Sequence, residues 1–175
     1  MKMQLKNVRL SFPAIWKKAV FDGAETKFEA TFLLNKETQA DQISAIEKAI
    51  DVFLTEKFGG KDKVPKSLKR TCFMDGDEKD YEGYAGHMAF KGSSTKRITV
   101  IDRDRTPLSE DDGKPEAGDY VNAIVDFWYS DHPKGGKQLL GNVLGIQFVK
   151  QGERFGSSGA SPDDFDVIED DEMFS

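Results

Sequence analysis

Apolar and polar residues alternate at the start of the chain in the pattern of half-buried strands. In residues 2–12 the apolar side chains keep a period of two with one slip near Asn7: Met3, Leu5, Val8, Leu10 and Phe12. The slip predicts a strand that is bulged or broken at Asn7, and Pro13 is expected to end it. A clean alternation over residues 27–34 predicts the next strand, and Asp22-Gly23 between the two marks a hairpin turn.

One segment then changes to a helical period. Its apolar residues recur at intervals of three and four: Ile43, Ile46, Ile50, Phe53 and Leu54. This spacing predicts an amphipathic helix over about residues 38–57, and Gly59-Gly60 provides the signal that ends it.

The second half of the chain returns to strand patterns. Residues 59–86 are polar and rich in turn residues, which predicts a long, partly irregular excursion. Strand alternation follows at 87–91, 97–102, 120–129 and 139–150. Two strands, one helix and four strands predict a mainly-β fold, an OB-fold-like small β-barrel with one substantial helix. A β-sandwich with the same element order stays open.

Charge is distributed unevenly along the chain. Residues 157–175, SSGASPDDFDVIEDDEMFS, hold seven of the 31 acids and none of the 25 bases, which leaves 24 acids and 25 bases before them. We therefore predict a domain over residues 1–156 and a disordered, flexible acidic C-terminal tail over 157–175.

Composition points to a reducing compartment. Cys72 is the one cysteine of the sequence, so no internal disulfide framework is expected. The opening residues alternate and are not an apolar run, and no stretch approaches the roughly 20 apolar residues of a membrane helix. We expect a cytoplasmic protein without a membrane segment.

Motifs for catalysis and metal binding are weak. His87 and His132 are far apart in sequence, and DGDEKD lacks the glycine of a calcium loop at its sixth position. Asp102 and Asp104 alternate with arginines in IDRDRTP, which favours a ladder of ion pairs over a magnesium site. We expect no enzymatic activity, no cofactor and no metal.

Binding of single-stranded nucleic acid has better support, because it needs aromatic faces that stack bases and cations that follow the backbone. The odd positions of 120–129 are the more apolar set and are assigned to the core, which leaves Trp128 on the exposed face. The predicted DNA-binding residues are Trp16, Lys17, Lys18, Tyr84, Phe90, Lys91, Lys96, Arg97, Arg103, Arg105, Trp128, Lys134 and Lys137.

The order of several motifs carries a resemblance. The stretches are NVRLSFPAIW, KFEATFLLNK, YEGYAGHMAF, TVIDRDRTPL, GDYVNAIVDFWYSD and LGIQFVKQGERFG. Together they resemble a family of bacteriophage and prophage single-stranded DNA-binding proteins, over about residues 5–156. The resemblance implies an OB-fold core that binds single-stranded DNA during phage replication or recombination without an enzymatic step. By position it implies groove roles for Tyr84, Arg97, Arg103, Arg105 and Trp128.

The acidic tail is assigned three roles: a tether, a competitor for the basic groove, and a hook for replication or recombination proteins. Single-stranded DNA-binding proteins as a class often end in an acidic tail tipped by an aromatic residue, and this tail resembles that arrangement. The predicted tail residues are Asp163, Asp164, Phe165, Asp166, Glu169, Asp170, Asp171, Glu172, Met173 and Phe174. A tail that only aids solubility is the alternative.

Three other functions remain open. A strand-annealing recombination partner would use the same ligand. A protein-interaction module with incidental DNA affinity is favoured by the near-neutral body, since many nucleic-acid-binding domains are more basic. A magnesium-dependent nuclease would depend on Asp102. The sequence does not determine the oligomeric state.

Overall fold

A computed structural model describes residues 2–155 and 165–168. Within these residues the strands are β1 Met3–Ala14, β2 Val20–Phe21, β3 Ala24–Glu25, β4 Phe28–Asn35, β5 Phe73–Asp75, β6 His87–Ser94, β7 Thr99–Ile101, β8 Tyr120–His132 and β9 Gly136–Lys150, and the α-helix is α1 Ala40–Phe58. The mainly-β composition with one substantial helix agrees with the prediction.

Five of the strands form a closed barrel. Antiparallel pairs join β6 to β4, β4 to β1, β1 to β8 and β8 to β9. A parallel contact between β6 and β9 closes the ring, with Gly92 opposite Gly141. A Cβ added to Gly141 would lie 2.8 Å from the carbonyl oxygen of Lys91, so a larger residue there would push the closing strands apart. The OB-fold-like barrel is confirmed, and the β-sandwich is not formed.

The barrel interior collects the apolar residues of each alternating strand. Val121, Ala123 and Val125 are buried, as expected for the odd positions of β8. Helix α1 packs against the barrel through Ile46, Ile50 and Leu54, which lie one turn apart. Full burial of one such side chain contributes about 1.5–3 kcal/mol, so the helix is held mainly by this stripe.

The helix boundaries differ slightly from the prediction. The helix begins at Ala40, and Gln39 at the N-cap makes no side-chain capping bond. It ends where predicted, because Gly59 adopts the left-handed conformation with a φ of 77° and its N–H bonds to Thr55. Left-handed C-caps favour glycine, which has no Cβ to clash.

Strand β1 departs from a regular strand at two points. Its pairing with β8 shifts register between Leu5 and Val8, and Asn7 has a φ of 53°, so the predicted bulge is confirmed. Pro13 does not end the strand, which continues to Ala14 across a second register shift. Proline is tolerated there because a bulged residue needs no ladder hydrogen bond.

Two of the connections contain local structure of their own. Asp22 and Gly23 both have positive φ values and join β2 to β3, which confirms the predicted hairpin turn. The excursion over 59–86 contains β5 and two short 3₁₀ turns.

No helix among the described residues is long and apolar enough to cross a membrane. Of the predicted tail, the structure describes residues 165–168, and the rest lies outside the described residues.

Candidate nucleic-acid interface

The outer faces of β4 and β6 form a shallow groove. Phe32 of β4 and Phe90 of β6 point into the core, so Thr31 and Lys91 beside them point outward. The groove has a volume of about 420 Å³, and we call it the β4–β6 groove. Its lining residues are Phe12, Glu29, Thr31, Thr71, Met74, Lys79, Tyr81, Tyr84, Ala89 and Lys91. These strands are the second and third of the barrel, the face with which OB-folds bind oligonucleotides.

Three aromatic rings meet at one end of this groove. The ring centroids lie 5.0 Å apart for Phe12 and Tyr81, and 5.2 Å apart for Tyr81 and Tyr84. Phe12 is 57% exposed and Tyr81 is 53% exposed, whereas Tyr84 is 3% exposed. The two outer residues are therefore accessible to solvent, and the buried Tyr84 packs against both rings.

A bulge places Phe12 at this site. Ser11 pairs with Thr31 and Ala14 pairs with Glu29, so Phe12 and Pro13 both lie opposite the single residue Ala30. In a regular strand Phe12 would face the core, two positions after the buried Leu10. The bulge instead turns its ring outward, with a φ of 45° that bulky residues rarely adopt. Strained backbone of this kind is concentrated at functional sites.

Tyr84 is fixed in the wall of the groove by its hydroxyl group, which lies 2.9 Å from the hydroxyl of the buried Ser11. Burial raises the pKa of Tyr84, and the hydrogen bond to Ser11 opposes that shift only in part. The ring therefore stays a neutral phenol at physiological pH and serves as a rigid support.

The loop that carries Tyr81 is fastened by a charged cluster. The carboxylate of Asp77 accepts a hydrogen bond from the N–H of Gly86 at 2.7 Å and another from the Lys36 ammonium at 2.7 Å. The Lys36 hydrogen bonds lower the pKa of Asp77 and of Asp75, which Lys36 also contacts at 2.6 Å. Both ends of the loop that carries Tyr81 are thereby tied to each other and to the end of β4.

A second aromatic position lies on the continuation of the same outer surface. Gly92 and Gly141 bring β6 and β9 side by side, so the outer face passes from β6 across β9 to β8. Trp128 lies half-buried on this part of β8, opposite Leu140. The ammonium of Lys27, which comes from the residue before β4, lies 5.2 Å from the Trp128 ring centroid. We call the outer surface that runs from Phe12 through the β4–β6 groove to Trp128 the groove path; it carries both aromatic rings and cations.

Comparison with known proteins identifies a family that matches the chain. The family model described as "Enterobacter phage Enc34, ssDNA-binding protein" matches residues 1–174. The chain belongs to this family. A relative in Acyrthosiphon pisum secondary endosymbiont phage 1, protein p50, is 37% identical over 186 residues that cover the whole of both chains. The resemblance drawn from the sequence motifs is confirmed.

Solved structures agree with the Enc34 family assignment. The single-stranded DNA-binding protein from bacteriophage Enc34 in complex with ssDNA is 26% identical, with a TM-score of 0.76 and 89% of each chain covered. The single-stranded DNA-binding protein gp2.5 of bacteriophage T7 shares the fold at 10% identity and a TM-score of 0.55, over 91% of this chain and 97% of that one. The family and these neighbours are single-stranded DNA-binding proteins, which are not enzymes.

Two of the residues predicted for this Enc34-family chain are corrected. Phe90 is fully buried, and its ring packs against Phe127 with centroids 5.9 Å apart, so no base can reach it. Tyr84 is a support within the wall and not an open platform, because 3% of it is exposed. Lys91 and Trp128 do lie on the groove path. Their part in binding stays a prediction.

A second group of predicted residues lies beside β7, away from the β4–β6 groove. Trp16, Lys17 and Arg97 line a separate groove with Leu108. Lys17 lies 3.9 Å from the carboxylate of Glu110 in that groove.

The remaining predicted cations are dispersed over the barrel. The Lys18 ammonium lies 6.0 Å from the ring centroid of Phe28, and Lys96 is exposed in the turn after β6. Lys134 and Lys137 are exposed at the β8–β9 turn. None of these four described cations lines the β4–β6 groove with Phe12 and Tyr81.

The expected ladder of aspartate and arginine pairs is wrong in detail. Asp102 accepts a hydrogen bond from the backbone N–H of Arg103 and pairs with Lys114 at 3.0 Å. These contacts lower the pKa of Asp102, with the backbone bond the larger cause. The Arg103 guanidinium donates instead to the carbonyl of Val149 at 3.0 Å. Asp102 therefore stabilises the turn after β7, and among the described residues no three acidic, histidine or cysteine side chains are grouped as metal ligands.

Four residues of the groove path were not predicted from the sequence: Phe12, Lys27, Lys79 and Tyr81. The period-two spacing of the first strand places Phe12 on the same side as Leu10. The one available signal was the Phe-Pro pair at a strand end, which is typical of a bulge. Tyr81 lay in a segment without periodicity, where sequence cannot distinguish an exposed ring from a buried one.

Proposed function

We propose that this protein binds single-stranded DNA without sequence preference along the β4–β6 groove and over Trp128. It would act in the cytoplasm of an infected bacterium, during phage DNA replication or recombination. The observation that carries the proposal is the pair of half-exposed rings, Phe12 and Tyr81, set above a groove with Lys79 and Lys91. The solved Enc34 relative, described as a complex with ssDNA, supports the same ligand class.

Stacking supplies the part of the affinity that does not depend on charge. Base–aromatic stacking contributes about 1–3 kcal/mol per base and accepts every base, since each has a π-face. Phe12, Tyr81 and Trp128 are three such platforms along the path. A base on Trp128 would share the ring with the Lys27 ammonium, which lies 5.2 Å from its centroid.

The charges in the groove set the orientation of the strand. Lys79 and Lys91 attract phosphates. Glu29, which lies on β4 between β1 and β6, repels them. Phosphates are therefore directed to the lysine side of the groove and bases toward the rings. The predicted cations Arg97, Arg103 and Arg105 would add weaker contacts to a longer strand.

The acidic tail is proposed to compete for the same groove. The position of Phe155, shortly before the tail, supports this. Its ring packs beside Gly83 and Tyr84, and the Arg9 guanidinium lies 4.2 Å from the ring centroid. A flexible chain the length of residues 157–175 has a root-mean-square extent of roughly 24 Å, enough to reach the groove from that point. Its carboxylates would displace duplex more readily than stacked single strands, because duplex binding relies on charge. Met173 and Phe174 would dock partner proteins.

Titration with oligo-dT tests the proposal at two salt concentrations, with tryptophan fluorescence as the signal. We expect quenching that weakens with salt and is lost in Trp128→Phe, with Trp16→Phe as the matched control that keeps it. A chain stopped after Gly156 should bind more tightly if the tail competes. Absence of binding in every form would contradict the proposal and favour the protein-interaction module.

A further inference from the structure

The tip of the β2–β3 hairpin exposes apolar side chains without cover. Phe21 is 77% exposed and Val20 is 67% exposed at this tip. The hairpin is an ordered arm, since the N–H of Ala19 bonds to the carbonyl of Lys27 at 2.8 Å and the Asp22-Gly23 turn closes it. Ordered, adjacent apolar side chains at a protruding tip are typical of a contact surface.

A second groove lies on another face of the barrel. It lies across β1, β7, β8 and β9, has a volume of about 370 Å³, and is called here the β7–β9 groove. Its floor contains the half-buried Ile101, Ile124 and Leu144. Two exposed cations, Lys2 and Arg105, lie at its rim. An apolar floor with a basic rim fits an apolar group that carries acids beside it.

The hairpin tip has that chemistry. Phe21 and Val20 are followed by the exposed acids Asp22 and Glu25. We infer that the hairpin tip of one copy inserts into the β7–β9 groove of a second copy, with Phe21 on the apolar floor and the acids beside the basic rim. Within a single chain the tip does not occupy the groove, because Phe21 remains 77% exposed.

The two surfaces differ, so the contact is heterologous and leaves one free tip and one free groove at the ends of every pair. Such a contact adds copies in one direction and forms a row. The inference goes beyond the proposed function, since it concerns contacts between copies on a strand that several copies occupy. One ring and its neighbours bury little area, so the association is expected to be weak in free solution and to become effective when a strand holds the copies close together.

Cross-linking tests the contact directly. Phe21→Cys and Leu144→Cys would be prepared as separate full-length proteins, mixed on poly-dT and treated with a short thiol cross-linker. The native Cys72 is buried, and burial raises its pKa to about 12, so it does not react. A cross-linked dimer in the mixture, but in neither variant alone, is the expected result.

Other patterns of cross-links would overturn the inference. A dimer of Phe21→Cys alone would mean that tips meet symmetrically. Cross-linking that appears only in chains stopped after Gly156 would mean that the acidic tail occupies the groove. No cross-link in any combination would show that the two surfaces do not meet.

Binding measurements separate this inference from the proposed function. Phe21→Ser should leave the affinity for an oligo-dT of about 12 nucleotides unchanged, because one OB-fold covers about 4–16 nucleotides. On poly-dT the same variant should show an association constant between neighbouring copies that is about tenfold lower, because the contact loses one buried ring. Val52→Ser removes an exposed apolar side chain from α1 and is the matched control. Loss of binding to the short oligo-dT in the unmodified protein would contradict the proposed function, whereas equal poly-dT curves for both variants would contradict only the contact.

A charge exchange tests the polar part of the contact. Glu25→Lys should weaken cooperative binding to poly-dT, and the further change Lys2→Glu should restore it in a single protein that carries both. Neither residue lies on the β4–β6 groove path. Failure of the second change to restore cooperativity would contradict the assigned pairing of tip and rim.

Discussion

The two bulges of β1 break the strand in the same way but serve different ends. At Asn7, with a φ of 53°, the backbone N–H bonds to the Asn122 side chain at 2.9 Å and the carbonyl accepts from Gln39 at 2.9 Å. Asparagine tolerates this conformation, so the first bulge is locally satisfied. At Phe12, with a φ of 45°, a bulky residue takes the same region and leaves its ring 57% exposed.

The comparison indicates which bulge is structural and which is functional. A left-handed conformation costs a residue other than glycine roughly 1–2 kcal/mol. Asn7 offsets that cost through its own hydrogen bonds and those of Gln39, whereas the exposed ring of Phe12 gains little from burial. We infer that the second bulge is retained because it turns an aromatic face toward the β4–β6 groove.

The largest effect is expected from removing both open rings. Phe12→Gly combined with Tyr81→Ala should reduce the affinity for oligo-dT by about 2–6 kcal/mol, or at least 30-fold, because two stacking platforms are lost. Fluorescence titration on Trp128 measures the affinity. Val52→Ala on α1 is the control, and an affinity within a factor of two of the unmodified protein would contradict the assignment of the groove.

Substitution at the first bulge should change stability alone. Asn7→Val places a β-branched residue in the left-handed region and is expected to lower the free energy of unfolding by about 1–2 kcal/mol. Urea unfolding measures this, with Asn7→Gly as the matched variant that keeps most of the stability. A clear loss of oligo-dT affinity in Asn7→Val, measured where the protein is folded, would contradict the distinction between the two bulges.

The single change Phe12→Gly should have the opposite signature. Glycine relieves the left-handed strain but increases the freedom of the unfolded chain, so the free energy of unfolding should rise or fall by less than about 1 kcal/mol. The affinity for oligo-dT should nevertheless fall by about 1–3 kcal/mol. Urea unfolding and titration of the same preparation test both values, and matched losses in stability and affinity would indicate a structural role only.

The pH dependence of the free energy of unfolding should show the contribution of Tyr84, which packs against the two exposed rings. Burial raises the pKa of Tyr84 in the folded protein above its unfolded value, so its stabilising contribution is present below about pH 10 and is lost as the pH rises through the folded pKa. Tyr84→Phe should remove this part of the alkaline decline in the free energy of unfolding. A decline of equal slope in both proteins between pH 9 and 11 would show that Tyr84 is not the group responsible.

A smaller effect is expected at the fastening of the Tyr81 loop. Asp77→Asn keeps an acceptor for the Gly86 N–H but removes the charge that pairs with Lys36. Since the pKa of Asp77 is lowered in the folded state, the pair stabilises the fold above the unfolded pKa and is lost as the pH falls through the folded one. The affinity for oligo-dT should fall less than in Tyr81→Ala. An equal or larger fall would mean that the charged cluster, and not the Tyr81 ring, determines binding in the groove.

The periodic parts of the sequence predicted the fold well for physical reasons. Alternation in β4 and β8 and the helical spacing of α1 follow directly from burial of one face, so their existence and order could be read from residue type. The excursion over 59–86 lacks a period, and its strand β5 was not predicted. Its order comes from contacts distant in sequence, such as the pairing of Phe73 with Phe90.

The candidate site was predicted less completely, because it depends on exceptions to the period. The outer-face position of Trp128 could be predicted, since buried and half-buried residues alternate in β8 from Tyr120 to Val125. Phe12 could not be placed, because one inserted residue reverses the side of the strand on which a ring lies. Phe90 could not be recognised as core, because its burial depends on the closure of β6 against β9 at Gly92 and Gly141.

Photo-cross-linking of the full chain to oligo-dT substituted with 5-iododeoxyuridine tests the central claim most directly, with the linked peptides identified by mass spectrometry. We expect cross-links at Phe12, Tyr81 and Trp128, in peptides from three separate parts of the sequence. Cross-links confined to Trp16 and the groove beside β7, with none at Phe12 or Tyr81, would contradict it.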